Sequence, residues 1–341
     1  MTTATVTSRA TLRQHGKSFY WAGLFLPRHQ LAASARLYHI CRQIDDIADT
    51  AENEAQRQRA QKVLSCLQER LNAYLQHGIP PNKTNATSSK DGALTDAEQP
   101  LVEALEADII ALFAMDSRSL HAMRDLVATM VIDISPVQLE DEQSLVTYAY
   151  GAAGTVGVMM GQLINTRDPD HSLAFAIDLG VAMQMTNIAR DVLEDAQNNR
   201  VYLPQAWLKQ PVTADAIAHG EPQARHQAWQ AIEILIERAE AYYESGWQGL
   251  AYLPPRTRLA IGIALRVYRK IGRRIQSLSE EDYWAQRVVV PKSSKLMQSL
   301  LALPALFNTS PAWHDTALHQ PLEAQVSAYG LKPYTLNSGE L

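Results

Sequence analysis

The sequence predicts a single all-α domain, and three observations support this. Apolar residues recur at helical spacing along most of the 341-residue chain, and no region shows sustained alternation of period two. Proline and glycine stand where the helical patterns begin and end, as at Pro27, Gly78 and the pair Pro254 and Pro255. No internal repeat of solenoid period stands out. One helical bundle therefore fits the chain best.

In chain order, residues 1–11 are rich in Thr and Ser and are expected to form a flexible N-terminus without a secretory signal. Residues 12–302 are expected to form the domain. Within it, residues 79–99 are rich in Pro, Asn, Ser, Asp and Gly, which predicts a surface loop. Residues 303–341 have scattered prolines and are expected to form an irregular C-terminal tail. The predicted helices cover residues 27–45, 51–77, 100–114, 117–133, 140–165, 171–195, 223–250 and 255–278.

Composition narrows the class of protein. The net charge is -5 and the isoelectric point is near 6.1, so the chain has no general basic surface for nucleic acid. Cys41 and Cys66 lie in apolar helical patterns, which favours free thiols in a reducing compartment. Residues 145–164 carry no charge, but their four glycines, two threonines, two tyrosines and one glutamine favour a buried helix over a membrane span. We therefore expect a cytoplasmic protein, and peripheral contact with the membrane surface stays open.

The first candidate functional motif is an acidic cluster in the helix predicted from Pro27. Tyr38, Arg42, Asp45 and Asp49 are spaced four, three and four residues apart, so they share one helix face. Aliphatic residues of the same segment form a second face that can pack into a core.

The second motif is an acidic cluster in the helix predicted over residues 171–195. Asn187, Asp191 and Asp195 follow one another at intervals of four residues, and Gln184 extends their face by one turn. Arg190 stands beside this row, as Arg42 stands beside the first acidic cluster.

The two clusters together indicate a metal and diphosphate site. Magnesium prefers oxygen ligands and binds through carboxylates, waters and phosphate oxygens. Neighbouring arginines suit the oxygens of a departing diphosphate. One acidic pair at helical spacing is usually a solvated face, whereas two such pairs, each with an arginine and embedded in aliphatic residues, are harder to explain that way.

A third motif is rich in small residues and runs from Tyr148 to Gly157. Each glycine inside a helix costs about 1 kcal/mol relative to alanine. So many small residues indicate the close approach of another backbone or of a bulky ligand. Tyr148 could donate a hydrogen bond, carry a proton or stabilise a carbocation through its ring face.

With these motifs in view, the chain resembles the squalene/phytoene synthases, and within that family it is most similar to the bacterial phytoene synthases. The resemblance covers about residues 12–295, and the motifs stand in family order. The matching segments are His15-Gly16-Lys17-Ser18-Phe19, Tyr38 with Arg42 and the Asp45–Asp49 pair, Tyr148–Gly157, Gln184–Asp195, Asn199–Pro204 and Tyr268–Gly272.

The resemblance implies an isoprenoid-synthase bundle with a central apolar cavity, and it implies roles for individual residues. Catalysis is expected to depend on Tyr148, Asp45, Asp49 and Asp191. Magnesium, with manganese as an alternative, is expected to bind Asp45, Asp49, Asn187, Asp191 and Asp195. The diphosphates and substrate are expected to contact His15, Lys17, Ser18, Tyr38, Arg42, Gln184, Arg190, Tyr268 and Arg287.

The activity implied is the head-to-head condensation of two geranylgeranyl diphosphates to phytoene through a cyclopropyl diphosphate. A squalene or dehydrosqualene synthase that uses farnesyl diphosphate is the alternative. The combination of motifs disfavours a head-to-tail prenyltransferase and a terpene cyclase. A catalytically silent assembly factor would be expected to lack metal carboxylates, and none is missing here.

The preference for the longer substrate depends on two small residues. Helical spacing puts Gly23 on one face with His15 and Phe19, and puts Ala35 about 15 Å below Asp45 at a rise of about 1.5 Å per residue. Both are expected at the floor of the prenyl pocket, and helix packing is the alternative explanation. A deep floor favours the twenty-carbon substrate.

Overall fold

The computed structural model describes residues 3–51, 53–78, 94–96, 98–310 and 313–331, and within them the chain is almost entirely helical. This confirms the predicted fold class. Two two-residue strands, β1 (Val137–Gln138) and β2 (Arg200–Val201), form one short parallel pair. The α-helices are α1 (Thr3–His15), α2 (Lys17–Gly23), α3 (Arg28–Asp49), α4 (Glu54–His77), α5 (Gln99–Phe113), α6 (Ser117–Asp133), α7 (Glu142–Ala149), α8 (Thr155–Leu163), α9 (Pro169–Gln197), α10 (Ala214–Ala218), α11 (Pro222–Gly249), α12 (Pro255–Ile275), α13 (Glu280–Ala285), α14 (Lys292–Leu301) and α15 (Glu323–Ser327).

Helix α9 forms the centre of the bundle and packs against α8, α11 and α12. Asp168 caps its N-terminus by accepting a hydrogen bond from the His171 backbone, and Pro169 occupies its first turn. Among the described residues, α9 is the one helix long and apolar enough to cross a membrane, yet 78% of its apolar window is buried inside the protein. Its apolar character is therefore accounted for by its place in the core.

The helix predicted over residues 140–165 is divided into three parts. Helix α7 begins at a capping box formed by Asp141 and Ser144, a π-helical turn follows at Tyr150–Gly154, and α8 continues the path. A Cβ atom on Gly157 would lie 2.0 Å from the carbonyl oxygen of Ala176 in α9. The small residues thus bring two backbones together, as the sequence indicated.

The N-terminus differs from the expected flexible segment, because α1 already begins at Thr3. Helix α1 packs along α3, where Leu12 is buried in an apolar cluster with Leu31 and Ala35. The Thr and Ser residues have low helix propensity by themselves, so tertiary packing decides the conformation here.

The C-terminal segment also differs from an irregular tail, since most of its described part is helical and packs on the domain. Two 3₁₀-helices, Leu303–Phe307 and Thr316–Leu322, precede α15. The Tyr329 hydroxyl lies 2.6 Å from that of Tyr150 in the π-helical turn. Residues 332–341 lie outside the described residues. So do residues 79–93 and 97 of the predicted surface loop, and α5 begins at Gln99.

Candidate active site

A cavity of about 620 Å³ lies inside the bundle and has one polar end and one apolar end. Its wall comes chiefly from α2, α3, α8, α9 and α12. Arg42, Asp45 and Arg287 mark the polar end, and their side chains are between one third and just over one half exposed to solvent. The volume lies within the range of small-molecule sites.

Helix α3 brings its acidic cluster to the polar end, because Asp45 and Asp49 are one turn apart and both line the cavity. The Arg42 guanidinium pairs with Asp45 at 2.8 Å and with Asp46 at 2.6 Å. Arg200 of strand β2 pairs with Asp49 at 2.7 Å. The cluster therefore has arginines on both sides.

Helix α9 supplies the second cluster to the same cavity. Asn187, Asp191 and Asp195 occupy successive turns and all line it. The Arg190 Nε donates to Asp191 Oδ1 at 2.8 Å, and the Arg287 Nε donates to the same oxygen at 2.9 Å. Two arginines from different segments thus converge on one carboxylate.

The electrostatics of the two clusters suit a divalent cation. Burial and the neighbouring Asp49 carboxylate raise the pKa of Asp45 to about 7. Burial and the Asp191 carboxylate raise the pKa of Asp195 well above its ordinary value. The Asn187 Oδ1 is buried and accepts no hydrogen bond from the described residues. Crowded carboxylates with a free amide oxygen form a donor set of the kind that Mg²⁺ or Mn²⁺ binds, so the residues fit the implied metal.

A buried hydrogen-bond network around Asp133 adjoins these clusters, and the sequence motifs did not predict its central residue. The Tyr148 hydroxyl donates to Asp133 Oδ2 at 2.9 Å, and the Tyr202 hydroxyl donates to Asp133 Oδ1 at 2.8 Å. The two rings stack at 4.4 Å. Arg200 donates to the Asp133 carbonyl oxygen at 2.7 Å and so connects this network to the first acidic cluster.

The signal for this network was weak in the sequence. Tyr202 and Arg200 fall within the matched segment Asn199–Pro204, but their spacing in the sequence indicates no role in the site. Asp133 ends α6 without any motif around it. A single acidic residue at a helix terminus is common, so only the fold identifies it as part of the site.

Most residues predicted for the site line this one cavity, although their roles stay predictions. Lys17 and Ser18 are the exceptions, because neither side chain forms part of its wall. Phe19, Ala22 and Gly23 line the cavity from α2, whereas Lys17 and Ser18 in the first turn of that helix do not. The predicted residues that line the cavity are His15, Tyr38, Arg42, Asp45, Asp49, Tyr148, Gln184, Asn187, Arg190, Asp191, Asp195, Tyr268 and Arg287.

Of the two residues predicted for the floor of the pocket, one lines the cavity and the other does not. Gly23 lines the cavity, whereas Ala35 is fully buried in the cluster between α1, α3 and α12 and does not reach it. The interpretation of Ala35 as a floor residue was therefore wrong, because the other buried members of its cluster line the cavity in its place, namely Leu12, Leu26, Leu31 and Ala260. Leu31 and Ser34 line the cavity from α3 instead.

The depth of the cavity can be followed along α9. Asp191 lies at the polar end and Phe175 belongs to the apolar wall, and sixteen residues of helix separate them by about 24 Å. The far wall is completed by Gly249, Leu250 and Leu253. A long apolar chain attached to an anionic head group therefore matches both ends of this cavity.

Comparison with known proteins identifies relatives of this chain. The sequence model of the family described as squalene/phytoene synthase matches residues 12–294. The 15-cis-phytoene synthase of a Paracoccus species is 35% identical, covering 87% of this chain and 90% of that protein. The 15-cis-phytoene synthase of Pantoea ananas is 32% identical, covering 86% and 88%. The crystal structure of a dehydrosqualene synthase superimposes with a TM-score of 0.66 at 23% identity, covering 89% and 96%.

Proposed function

We propose that this chain, which belongs to the squalene/phytoene synthase family, joins two molecules of geranylgeranyl diphosphate head to head to form phytoene for carotenoid biosynthesis. It is a prenyl transferase. The observation that supports the proposal most is the pairing of two carboxylate clusters and their arginines with a long apolar cavity. The similarity to several phytoene synthases supports the choice of product.

Magnesium is the cofactor that we propose. Asp45 and Asp49 would bind it from α3, and Asn187, Asp191 and Asp195 would bind it from α9. A bound divalent cation neutralises diphosphate charge and so favours cleavage of the allylic carbon–oxygen bond.

The arginines of the site act on the leaving diphosphate. Arg42, Arg190 and Arg287 each pair with an aspartate of the site. Magnesium bound by those carboxylates would leave the guanidinium groups available to the diphosphate oxygens, where negative charge develops.

The apolar wall of the cavity then surrounds the carbocation and keeps water away from it. The double bond of the second substrate attacks the allylic cation, and proton loss closes a cyclopropane that keeps one diphosphate. A second ionisation releases that diphosphate, and ring opening with loss of a second proton gives the 1–1′ linked product. Water must be excluded throughout, because it would convert each cation into an alcohol. Burial and Asp133 raise the pKa of Tyr148 well above its ordinary value, so its hydroxyl stays protonated and its stacked ring stays neutral beside the cavity.

A squalene or dehydrosqualene synthase that takes farnesyl diphosphate is the second candidate. Solved structures of a dehydrosqualene synthase and of a squalene synthase are 23% and 22% identical to this chain, so their similarity supports the fold alone. The more similar relatives, at 32% to 37% identity, are phytoene synthases.

The metal assignment is tested by two adjacent substitutions on α3. Asp45 lines the cavity, whereas Asp46 is half exposed, pairs with Arg42 and lies outside the cavity wall. Asp45→Asn should lower pyrophosphate release from geranylgeranyl diphosphate with saturating Mg²⁺ by about 10³-fold, as expected when a ligand of the catalytic metal is lost. Asp46→Asn should retain most of the activity. Near-normal turnover in Asp45→Asn would contradict the assignment.

A further inference from the structure

One face of the protein combines exposed apolar side chains with positive charge. Six of the twelve large apolar side chains that are exposed in the described residues fall within one stretch of twelve residues. We call these six the apolar patch. Phe307 is 84% exposed, and the other five are about half exposed. The members of the apolar patch are Leu296, Met297, Leu300, Leu301, Leu303 and Phe307.

The apolar patch is formed by an amphipathic helix and the turn that follows it. Leu296 and Leu300 lie one turn apart on the outer face of α14, while Ser299 and Ala302 face inward and are buried. The Trp21 Nε1 donates to the Ser299 Oγ at 3.0 Å, which joins the inner face to α2. The helix is therefore held firmly with its apolar side outward.

The three helices that pack together at the apolar patch are basic. Helices α2, α12 and α14 carry ten Lys and Arg residues and no Asp or Glu, and the acidic residues nearest in the chain are Glu280, Glu281 and Asp282 at the start of α13. Arg269 and Arg273 pair with Glu240 of α11, so part of this charge is neutralised from outside.

Positive charge is also close to the apolar patch itself. Lys292 and Lys295 belong to α14, and the pKa of Lys295 is lowered by burial and by the nearby ammonium group of Lys17. Lys17 and Lys295 form no ion pair with an acidic residue in the described part of the chain, so their mutual repulsion is relieved where anions approach from outside. The arrangement is complementary to an anionic, apolar surface.

We propose that the apolar patch and its lysines form the surface on which this protein docks to a lipid bilayer that contains anionic lipids. Large exposed apolar patches mark interaction sites, and apolar side chains flanked by Lys suit the interface of an anionic membrane. The other side of the same wall faces the cavity, because Gly23 of α2 and Ala264 of α12 line it. The membrane-bound face is thus one wall away from the apolar chain of substrate and product.

A function at the membrane rests on the proposed activity, because substrate and product would be lipids. Binding of the protein to vesicles can nevertheless be measured without turnover. The purified full chain is mixed with sedimenting vesicles of phosphatidylcholine, alone or with about 30% phosphatidylglycerol. We expect binding to the vesicles with phosphatidylglycerol, and weaker binding as salt screens the lysines. The inactive variant Asp45→Asn should bind like the wild type, which separates this proposal from the proposed activity.

Matched substitutions locate the surface. The double variant L300E/F307E places two carboxylates on the apolar patch at exposed positions, and its binding to the anionic vesicles should fall by about tenfold or more. Met115→Glu is the control, because Met115 is 99% exposed on another part of the molecule. Circular dichroism and the melting temperature verify that each variant is folded.

Three outcomes would overturn the proposal. The wild type could remain unbound with vesicles that contain phosphatidylglycerol, or L300E/F307E could bind as well as Met115→Glu. Sedimentation velocity could instead show a dimer that L300E/F307E converts to a monomer, in which case a second copy of the chain covers the apolar patch.

Discussion

At the scale of single residues, the aspartates of the proposed metal site are crowded and partly buried. Asp45 lies one turn from Asp49 and is partly desolvated, so its carboxylate is unfavourable without a positive partner, and its pKa is raised to about 7. The Arg42 guanidinium offsets only part of the repulsion between the Asp45 and Asp49 carboxylates, because it also pairs with Asp46. A bound divalent cation would neutralise the negative charge that is left.

This arrangement predicts a pH dependence of stability. Because the folded pKa of Asp45 lies above its unfolded value of about 3.9, its contribution is fully present below about pH 4 and is lost as the pH rises through about 7. Without metal, the melting temperature should therefore fall over this range, and Mg²⁺ should raise it by several degrees more at about pH 8 than at about pH 5.5.

The measurement is a thermal melt at both pH values with Mg²⁺ and with a chelator. Asp45→Asn serves as the control, because its amide does not titrate and its metal-dependent gain should be small at both pH values. An equal Mg²⁺ effect at the two pH values in the wild type would contradict this account of Asp45.

At the scale of secondary-structure elements, the sequence predicted the long helices well. Their apolar faces repeat over many turns, and Pro or Gly marks their ends, as at Gly78. The π-helical turn at Tyr150–Gly154 was not predicted, because a helix of altered pitch has nearly the same residue pattern. Helix α1 was missed since its conformation depends on α3.

The site also contains residues that one helix places together and residues that only the fold brings together. Residues on one helix face, such as Asp45 with Asp49, could be predicted from spacing alone. Ala35 could not be distinguished from a cavity residue, because spacing along a helix does not say which neighbour covers each face. Asp133 is recognised only when α6 and β2 are brought together.

The part of α9 that lines the cavity predicts which residue limits the length of the substrate. Ala176 lines the cavity fifteen residues before Asp191, about 22 Å away along the helix. Ala176→Phe should shorten the apolar end and lower turnover of geranylgeranyl diphosphate about tenfold, with a smaller effect on farnesyl diphosphate.

Ala176→Ser is the control for this measurement, because it changes the residue with little added volume. The quantity compared is the ratio of kcat/KM for the two substrates in each protein. If Ala176→Phe leaves that ratio unchanged, the prenyl chain does not extend along this part of α9.

The C-terminal segment is joined to α9 by a buried cluster. Asp178 is fully buried and accepts hydrogen bonds from Ser245 at 2.5 Å, from His314 at 2.7 Å and from His319 at 2.8 Å. Burial favours the neutral acid, but the hydrogen bonds from the two histidines outweigh it and lower the pKa of Asp178. The stability that this group contributes is therefore present at neutral pH and is lost only as the pH falls below about 4.

Removing one histidine should test this attachment. His319→Ala should lower the free energy of unfolding by about 2 kcal/mol, because it removes a hydrogen bond from a buried carboxylate. His171→Ala is the matched control, since His171 pairs with Asp168 at 2.8 Å with both side chains nearly half exposed. Its effect should stay below about 1 kcal/mol. Urea unfolding measures both, and equal losses would contradict a stabilising role for the buried cluster.

At the scale of the whole molecule, the bundle separates two environments that the proposed reaction needs. The proposed metal ligands and the arginines occupy the polar end of the cavity, and the apolar end extends along α9 into the core. Helix α14, which carries the apolar patch, packs on α12, and none of α2, α12 and α14 contains an acidic residue. The polar chemistry and the transfer of apolar chains are thus assigned to different parts of one domain.

The most direct test of the central claim is the identity of the hydrocarbon made by the purified wild-type protein. The protein is incubated with Mg²⁺ and either geranylgeranyl diphosphate or farnesyl diphosphate, and the products are separated by chromatography and identified by mass spectrometry. We predict phytoene from geranylgeranyl diphosphate, two pyrophosphates released per phytoene, and a lower kcat/KM for farnesyl diphosphate. A higher kcat/KM for farnesyl diphosphate with a thirty-carbon product, or an alcohol in place of phytoene, would contradict the account.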